Sequence, residues 1–212
     1  MYTEQFARLR GLADVVDARS GSPGHAQRVS HYVQALLDAL GLYGPQASQI
    51  LVAARLHDVG KAMTPEAILQ KCGPLTAEEW VEIKKHPEQG ADMLMSYTAM
   101  AGAAMMVRSH HERPDGLGYP YKLIGPMIPI GARLIAVADS FDAMVTARPY
   151  NAGVSPVVAV GRLAEGADAQ WDGTVVAAFI EQVFPRLDTS PGKADDWLIA
   201  AQPIAPHLTP VA

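Results

Sequence analysis

The sequence predicts an all-α fold, a helical bundle with no significant sheet, on three observations. Apolar residues recur at the helical period of about 3.6 residues over most of the chain. No stretch alternates polar and apolar residues for long enough to promise a sheet. Glycine and proline fall between the periodic stretches, where helices stop and start.

Phe6, Leu9, Leu12, Val15 and Val16 form a first apolar stripe. Val29, Val33, Leu36, Leu37 and Leu40 form a second, closed by Gly41. Pro45 opens a third helix through Ile50-Leu51-Val52-Ala53-Ala54, because a first-turn proline has no intrahelical hydrogen bond to lose, and His57-Asp58 lies at its far end. Thr76-Ala77-Glu78-Glu79 is a capping box, in which the Thr oxygen and the Glu carboxylate satisfy each other's backbone donors, so a helix runs from there to about Lys85. Ala91 to Tyr97 and Ala101 to His111 read as two more helical stretches. Pro114, Gly116, Gly118, Pro120, Gly125, Pro126 and Pro129 then punctuate a long loop, and long loops in compact domains tend to carry function. Ile130 to Val145 restores a strongly apolar helix, Ser155-Pro156 starts another as cap and first-turn residue, and Asp172 to Val183 supplies the last. From Pro185 the chain is Pro-rich and irregular, apart from a short turn around Trp197. The expected organisation is an N-terminal helix over 1–20, a main domain over 21–185 and a Pro-rich tail over 186–212, without internal repeats.

Composition narrows the function. With 212 residues and 49% hydrophobic content the chain can bury a sizeable core. A net charge of −5 argues against duplex DNA, which calls for a clustered basic surface, so a phosphate ligand would need local cations. The one cysteine, Cys72, makes neither an internal disulfide nor a thiolate metal site, which suits a reducing cytoplasm. No apolar run approaches the roughly 20 residues that cross a bilayer, and the N-terminus has no secretory pattern.

The chemistry lies in the histidines. His25, His57, His86, His110 and His111 fall at predicted helix ends or turns, where side chains can converge on one cavity together with Asp58 and Asp139. Imidazole and carboxylate together suit divalent Fe, Mn, Zn or Ni, and one carboxylate can bridge two cations about 3.5–4 Å apart, with His57-Asp58 the candidate bridging unit. A single histidine is more often a core or surface residue, but here histidines come with carboxylates. Asp139 interrupts the apolar run Leu134 to Phe141, where a buried carboxylate costs several kcal/mol unless a cation or donors meet it. His110 and His111 point about 100° apart on a regular helix, so both can serve one ion only if the helix ends there, as Pro114 suggests. His31 on a helix face, His207 in the tail, Cys72 in a turn and Trp80 at helical spacing from Lys84 read as structural.

Four linked motifs then carry a resemblance: His57-Asp58-Val59-Gly60-Lys61, His86-Pro87-Glu88-Gln89-Gly90, His110-His111-Glu112-Arg113-Pro114-Asp115-Gly116-Leu117-Gly118-Tyr119-Pro120 and Asp139-Ser140-Phe141-Asp142-Ala143-Met144. In this order and spacing they resemble the HD-GYP domain of the HD phosphohydrolase superfamily, from about His25 to about Phe184. The resemblance implies a bacterial metal-dependent phosphodiesterase that opens cyclic di-GMP to the linear dinucleotide through a metal-bridging hydroxide, with a second cut to GMP left open. It implies one metal held by His25, His57, Asp58 and Asp139 and a second by Asp58, His86, His110 and His111, with Fe or Mn ahead of Ni or Zn. Lys61 would stabilise charge on the attacked phosphate, Arg148 would grip a substrate phosphate, and the loop from Asp115 through Gly118 and Tyr119 to Pro120 would shape the guanine side. Asp115 or Asp142 is a candidate proton donor to the leaving oxygen, with Asp142 as readily an orienting residue. The chain departs from the family pattern at Gly21, where members with a third metal carry Glu, so two metals are expected. It departs also at Asn151, where a basic residue is common, and before His25, in Arg19 to Gly24. Competing readings are another HD-type phosphohydrolase or di-iron oxygenase, and a sensor or scaffold that binds the dinucleotide without turnover. The first twenty residues are free to meet a signalling partner or a second copy.

Overall fold

A computed structural model describes residues 2–147 and 152–187, and in it the chain is all-α. Ten helices are found among the described residues: α1 (Tyr2–Arg19), α2 (His25–Ala39), α3 (Pro45–Leu56), α4 (Glu66–Leu69), α5 (Ala77–Ile83), α6 (His86–Met95), α7 (Ala101–Ser109), α8 (Ile130–Val145), α9 (Pro156–Glu165) and α10 (Gly173–Ala178). A 3-10 turn over Val59–Met63 follows α3, and α10 runs on into a π turn over Phe179–Val183. Among these residues the only β pairing is two isolated bridges, Asp115 with Ile124 and Ala167 with Trp171. No described helix is long and apolar enough to cross a membrane.

The helix starts have the expected chemistry. Thr76 Oγ1 accepts the Glu79 N–H at 3.3 Å while Glu79 accepts the Thr76 N–H at 2.7 Å, which completes the capping box of α5. Ser155 and Asp172 cap α9 and α10 by accepting the N–H groups of Val158 and Val175. The start of α2 uses an acceptor from another helix: Gly24 turns with φ 75°, and the Asp17 carboxylate from the end of α1 accepts the Ala26 N–H at 2.8 Å. Two boundaries move relative to expectation. The helix expected at Ala91 begins at His86, because Pro87 is accommodated in its first turn, and the helix expected to reach His111 stops at Ser109, leaving both histidines in a turn. The expected turn around Trp197 lies outside the described residues.

Helix α2 packs on α3 and α8, α3 on α7, and α6 on α7. Leu36, Leu37, Leu56, Leu94, Leu134 and Ile135 are fully buried between them. Aromatic rings lock α8 to α2 and to the π turn after α10: Phe141 meets Tyr32 edge-on at 5.3 Å and Phe179 at 4.8 Å. α1 contributes Leu9 and Ala13 to the same core. Helices α2, α3, α6, α7 and α8 each bury one stripe, so the ends of α3 and α7 and the starts of α2 and α6 meet beside α8.

Arg133 on α8 donates to the Asp172 cap at 2.6 Å, which with the α10 N–H groups holds that carboxyl below its usual range despite its burial. A depressed pKa contributes stability above the unfolded value near 4 and loses it as pH falls through the folded one. Asp172→Asn, which keeps the cap and removes the charge, should therefore lower stability by about 1 kcal/mol at pH 7. The difference from the parent chain should shrink as pH falls below the unfolded value and through the depressed folded one, in thermal melts followed by circular dichroism.

Candidate metal centre

Six helix ends or faces supply the centre. His57 closes α3 and Asp58 opens the 3-10 turn; His25 and His86 begin α2 and α6; His110 and His111 follow α7; Asp139 sits within α8. The 3-10 turn lies against α6 so closely that Gly60 is required: a Cβ there would fall 2.0 Å from the His86 carbonyl oxygen. That contact sets Asp58 beside His86.

The Asp58 carboxylate divides between two groups of imidazoles. Its Oδ1 lies 3.2 Å from His86 Nε2 and 3.9 Å from His110 Nε2, while its Oδ2 lies 3.6 Å from His57 Nε2 and 3.9 Å from His25 Nε2. Two donor clusters result, one of Asp58, His86, His110 and His111 and one of His25, His57 and Asp58, each with its ligand atoms within 4.8 Å of one another. Asp139 joins the second side, with Oδ1 3.1 Å from His25 Nε2 and 3.9 Å from His57 Nε2.

The donors suit a cation. His57, His86 and His110 each donate Nδ1–H to the carbonyl three residues earlier, those of Ala54, Ile83 and Val107 at 2.9, 2.6 and 2.6 Å. A carbonyl can only accept, so the proton is on Nδ1 and each Nε2 turns a lone pair inward. The Nε2 atoms of His86 and His110 face each other at 3.3 Å, and His57 Nε2 is buried with no hydrogen-bond partner. Lone pairs arranged in this way repel unless a positive centre lies between them. The charges agree: burial, then the neighbouring imidazoles, lower the His110 pKa and take that of His111 down to about 3, so both rings are neutral. Burial opposes charge on His25 too, but Asp139 and Asp142 overcome it and push its pKa up to about 10, marking a spot that demands positive charge. Asp58 and Asp139 stay ionised against their burial, Asp58 chiefly through Lys61 and His57 and Asp139 through His25.

Lys61 Nζ is 2.5 Å from Asp58 Oδ2, at the edge of the centre. Tyr119 stacks on His111 with centroids 4.8 Å apart and planes at 24°. Gly118 is buried against the backbone of Glu112 and Arg113, and with Tyr119 it lines a cavity of about 450 Å³ that opens from His110, His111 and Asp139. Arg148 and Asn151 lie outside the described residues. The two candidate proton donors have other partners. Asp142 takes the orienting place: fully buried, it accepts from His25 Nδ1 at 2.7 Å and from Arg28 Nε and Nη2 at 2.7 and 3.0 Å. Asp115 accepts from Arg113 and from the Leu117 N–H in the loop that carries Tyr119.

Three positioning groups escaped the sequence reading. Arg28 pairs with Asp142 across 114 residues, which no local pattern reveals. Glu112, buried, accepts the N–H groups of Tyr121 and Leu123 at 2.6 and 3.0 Å and so folds the loop that carries Tyr119. Its place beside His110-His111 was the available signal. Trp171 donates its indole N–H to Ser140 at 2.9 Å and closes the far wall of the cavity. Removing one partner of the buried Arg28–Asp142 pair leaves an uncompensated charge, so Asp142→Ala should cost about 3–5 kcal/mol in urea denaturation. Asp142→Asn, which can still hydrogen-bond, should cost clearly less.

Residues 12–175 match the HD domain family. A 3′3′-cGAMP-specific phosphodiesterase of Vibrio cholerae is 44% identical over 143 residues, 66% of this chain and 27% of that protein. A cyclic di-GMP phosphodiesterase of the same organism is 37% identical over 188 residues, 81% of this chain and 38% of its own length. The chain thus spans about a quarter to two fifths of these relatives. An HDGYP protein from Bdellovibrio bacteriovorus has the same fold, with a TM-score of 0.61 over 73% of this chain and 49% of that one at 24% identity. The chain belongs to the HD domain family, and it carries both the His57-Asp58 pair and the Gly118-Tyr119-Pro120 loop of the HD-GYP group.

Proposed function

We propose that this chain is a metal-dependent phosphodiesterase that hydrolyses a cyclic dinucleotide, with cyclic di-GMP as the first substrate to test. The observation that carries the reading is the Asp58 carboxylate, whose two oxygens face two separate sets of inward imidazole lone pairs beside an open cavity. Relatives named for cyclic di-GMP and for 3′3′-cGAMP hydrolysis support the substrate class, and the 44% identity of the cGAMP-specific one makes cyclic GMP-AMP the second candidate.

Two divalent ions fit the donors, one among His25, His57, Asp58 and Asp139 and one among Asp58, His86, His110 and His111; Fe or Mn is favoured for this mixed nitrogen and oxygen set, with Ni or Zn also accepted. Such ions, when bound, lower the pKa of coordinated water toward neutrality and neutralise phosphoryl charge. The protein's part is positioning and electrostatics. The carbonyl bonds to Nδ1 fix the imidazoles, Asp142 holds His25, and Glu112 holds the Tyr119 loop over His111. Lys61, a point charge at the rim, is placed to meet a phosphoryl oxygen as negative charge grows on it. In this reading residues 21–185 form the catalytic domain, 1–20 an N-terminal helix and 186–212 a tail. The setting is the cytoplasm, where the exposed thiol of Cys72 stays reduced. The surface left to α1 suits a signalling partner or a second copy.

Turnover of cyclic di-GMP, cyclic GMP-AMP and deoxynucleoside triphosphates by protein reconstituted anaerobically with Fe(II) or Mn(II) tests the reading. Activity should appear with the first two, disappear with chelator and return with metal. Asp58→Asn should reduce kcat by about 10³-fold or more, as expected for a residue shared by both ions. Lys61→Met should reduce kcat by about 10²–10³-fold with little change in KM. Full activity in chelator, or in a chain with both His57 and Asp58 changed to Ala, would overturn the proposal.

A further inference from the structure

Helix α5 is unusual among the helices: none of its residues is buried, so the core does not account for it. It is held by its ends. The capping box fixes the start, where Lys71 also pairs with Glu79 at 2.5 Å, and the turn into His86 fixes the finish. What it presents to the cavity is Trp80 and Lys84, one turn apart. The sequence had suggested a packing role for Trp80, yet its side chain is about half exposed, at 49%, and lines the same cavity as His111 and Asp139.

The arrangement of Lys84 is specific. Its Nζ lies 5.7 Å from the centroid of Trp80 and 5.3 Å from that of Tyr119, within cation–π range of both rings. Its neighbour Lys85 pairs with Glu82 at 2.5 Å, whereas Lys84 pairs with no carboxylate among the described residues. A row therefore leads outward from the candidate centre: His111, Tyr119, Lys84, Trp80. Tyr119 is occupied by His111, so the indole of Trp80 is the ring in this row left to take another flat group.

We propose that Trp80 and Lys84 form a purine subsite of the cavity, in which the indole stacks on a base and the ammonium donates to the O6 and N7 acceptors of guanine. The proposal rests on the cyclic dinucleotide reading and adds which base one end of the site selects. The stacking is indifferent to base identity, since every base has a π face. The ammonium is not indifferent: the guanine edge offers two acceptors, whereas adenine offers N7 beside an amino group that can only donate. Lys84 is exposed at the mouth of the cavity, so the rings hold its ammonium in place while its N–H donors stay open to a ligand that carries acceptors.

The test is calorimetric titration of the full metal-loaded chain with cyclic di-GMP, cyclic di-AMP, GMP and AMP, alongside initial rates. Both side chains are exposed on α5, so their variants should fold as the parent does. Lys84→Met should weaken cyclic di-GMP and GMP about tenfold and the adenine ligands less than about twofold, raising KM for cyclic di-GMP while kcat stays within about threefold. Lys84→Arg should restore the preference for guanine, because its fork also fits O6 and N7. Trp80→Leu should weaken guanine and adenine ligands alike by about tenfold. An unchanged guanine-to-adenine ratio in Lys84→Met, or unchanged affinities in Trp80→Leu, in a chain that still hydrolyses cyclic dinucleotides overturns the subsite and leaves the phosphodiesterase reading standing. A parent chain that binds GMP over AMP through Lys84 but hydrolyses no cyclic dinucleotide supports the subsite and overturns that reading. No binding of any of the four ligands overturns both.

Discussion

The hydrogen bonds from imidazole Nδ1 to the main chain are the constraint on which the rest of this structure depends. His57 and His110 each give that proton to a carbonyl in the last turn of the helix they follow, His86 gives it to the last carbonyl of α5, and His25 gives it to the Asp142 carboxylate. The side chain is thereby steered by the helix end that carries it. Once Nδ1 is committed, Nε2 must face the interior, and four helix ends meeting at one place put four such atoms there. The bundle geometry is what makes the meeting occur: helices that bury one stripe each bring their termini together beside α8.

Gathering unshared electron pairs and two ionised aspartates in a buried space is unfavourable for folding, and the surrounding structure limits how far it can relax. Arg28 neutralises Asp142 from beneath, Lys61 leans on Asp58 from the rim, and the fully buried leucines of α2, α3 and α8 leave no slack for the rings to turn away. The chain holds a cation-binding arrangement in place at some cost to its own stability, as functional sites commonly do. Farther out, the cavity is bordered by α5 and the Tyr119 loop, which are held by hydrogen bonds of Thr76, Glu79 and Glu112.

Much of this was legible in the sequence because it is local. Capping at Thr76 and Ser155, the stop before Pro114 and the adjacency of His57 and Asp58 depend on residues a few positions apart, and the structure has each of them. The all-α class followed from apolar periodicity for the same reason. Pairings that span the chain were not legible: nothing near Arg28 announces Asp142, and Asp17 caps α2 only because α1 folds back on it. Asp142 was open to two roles in the sequence because depth is a property of the packed bundle, and only its complete enclosure settles that it orients His25. Trp80 was misread for the converse reason, since periodicity reports that a residue shares a face with others and not whether anything covers that face.

The contact at Gly60 carries a further implication. Because the Val59–Met63 turn rests directly on the main chain of α6, Asp58 and His86 ride on what is mechanically a single block, and the carboxylate that both donor clusters share keeps its place only while α6 keeps its own. A methyl group at residue 60 would therefore be felt at the centre, prising the turn from the helix and moving Asp58 away from His86.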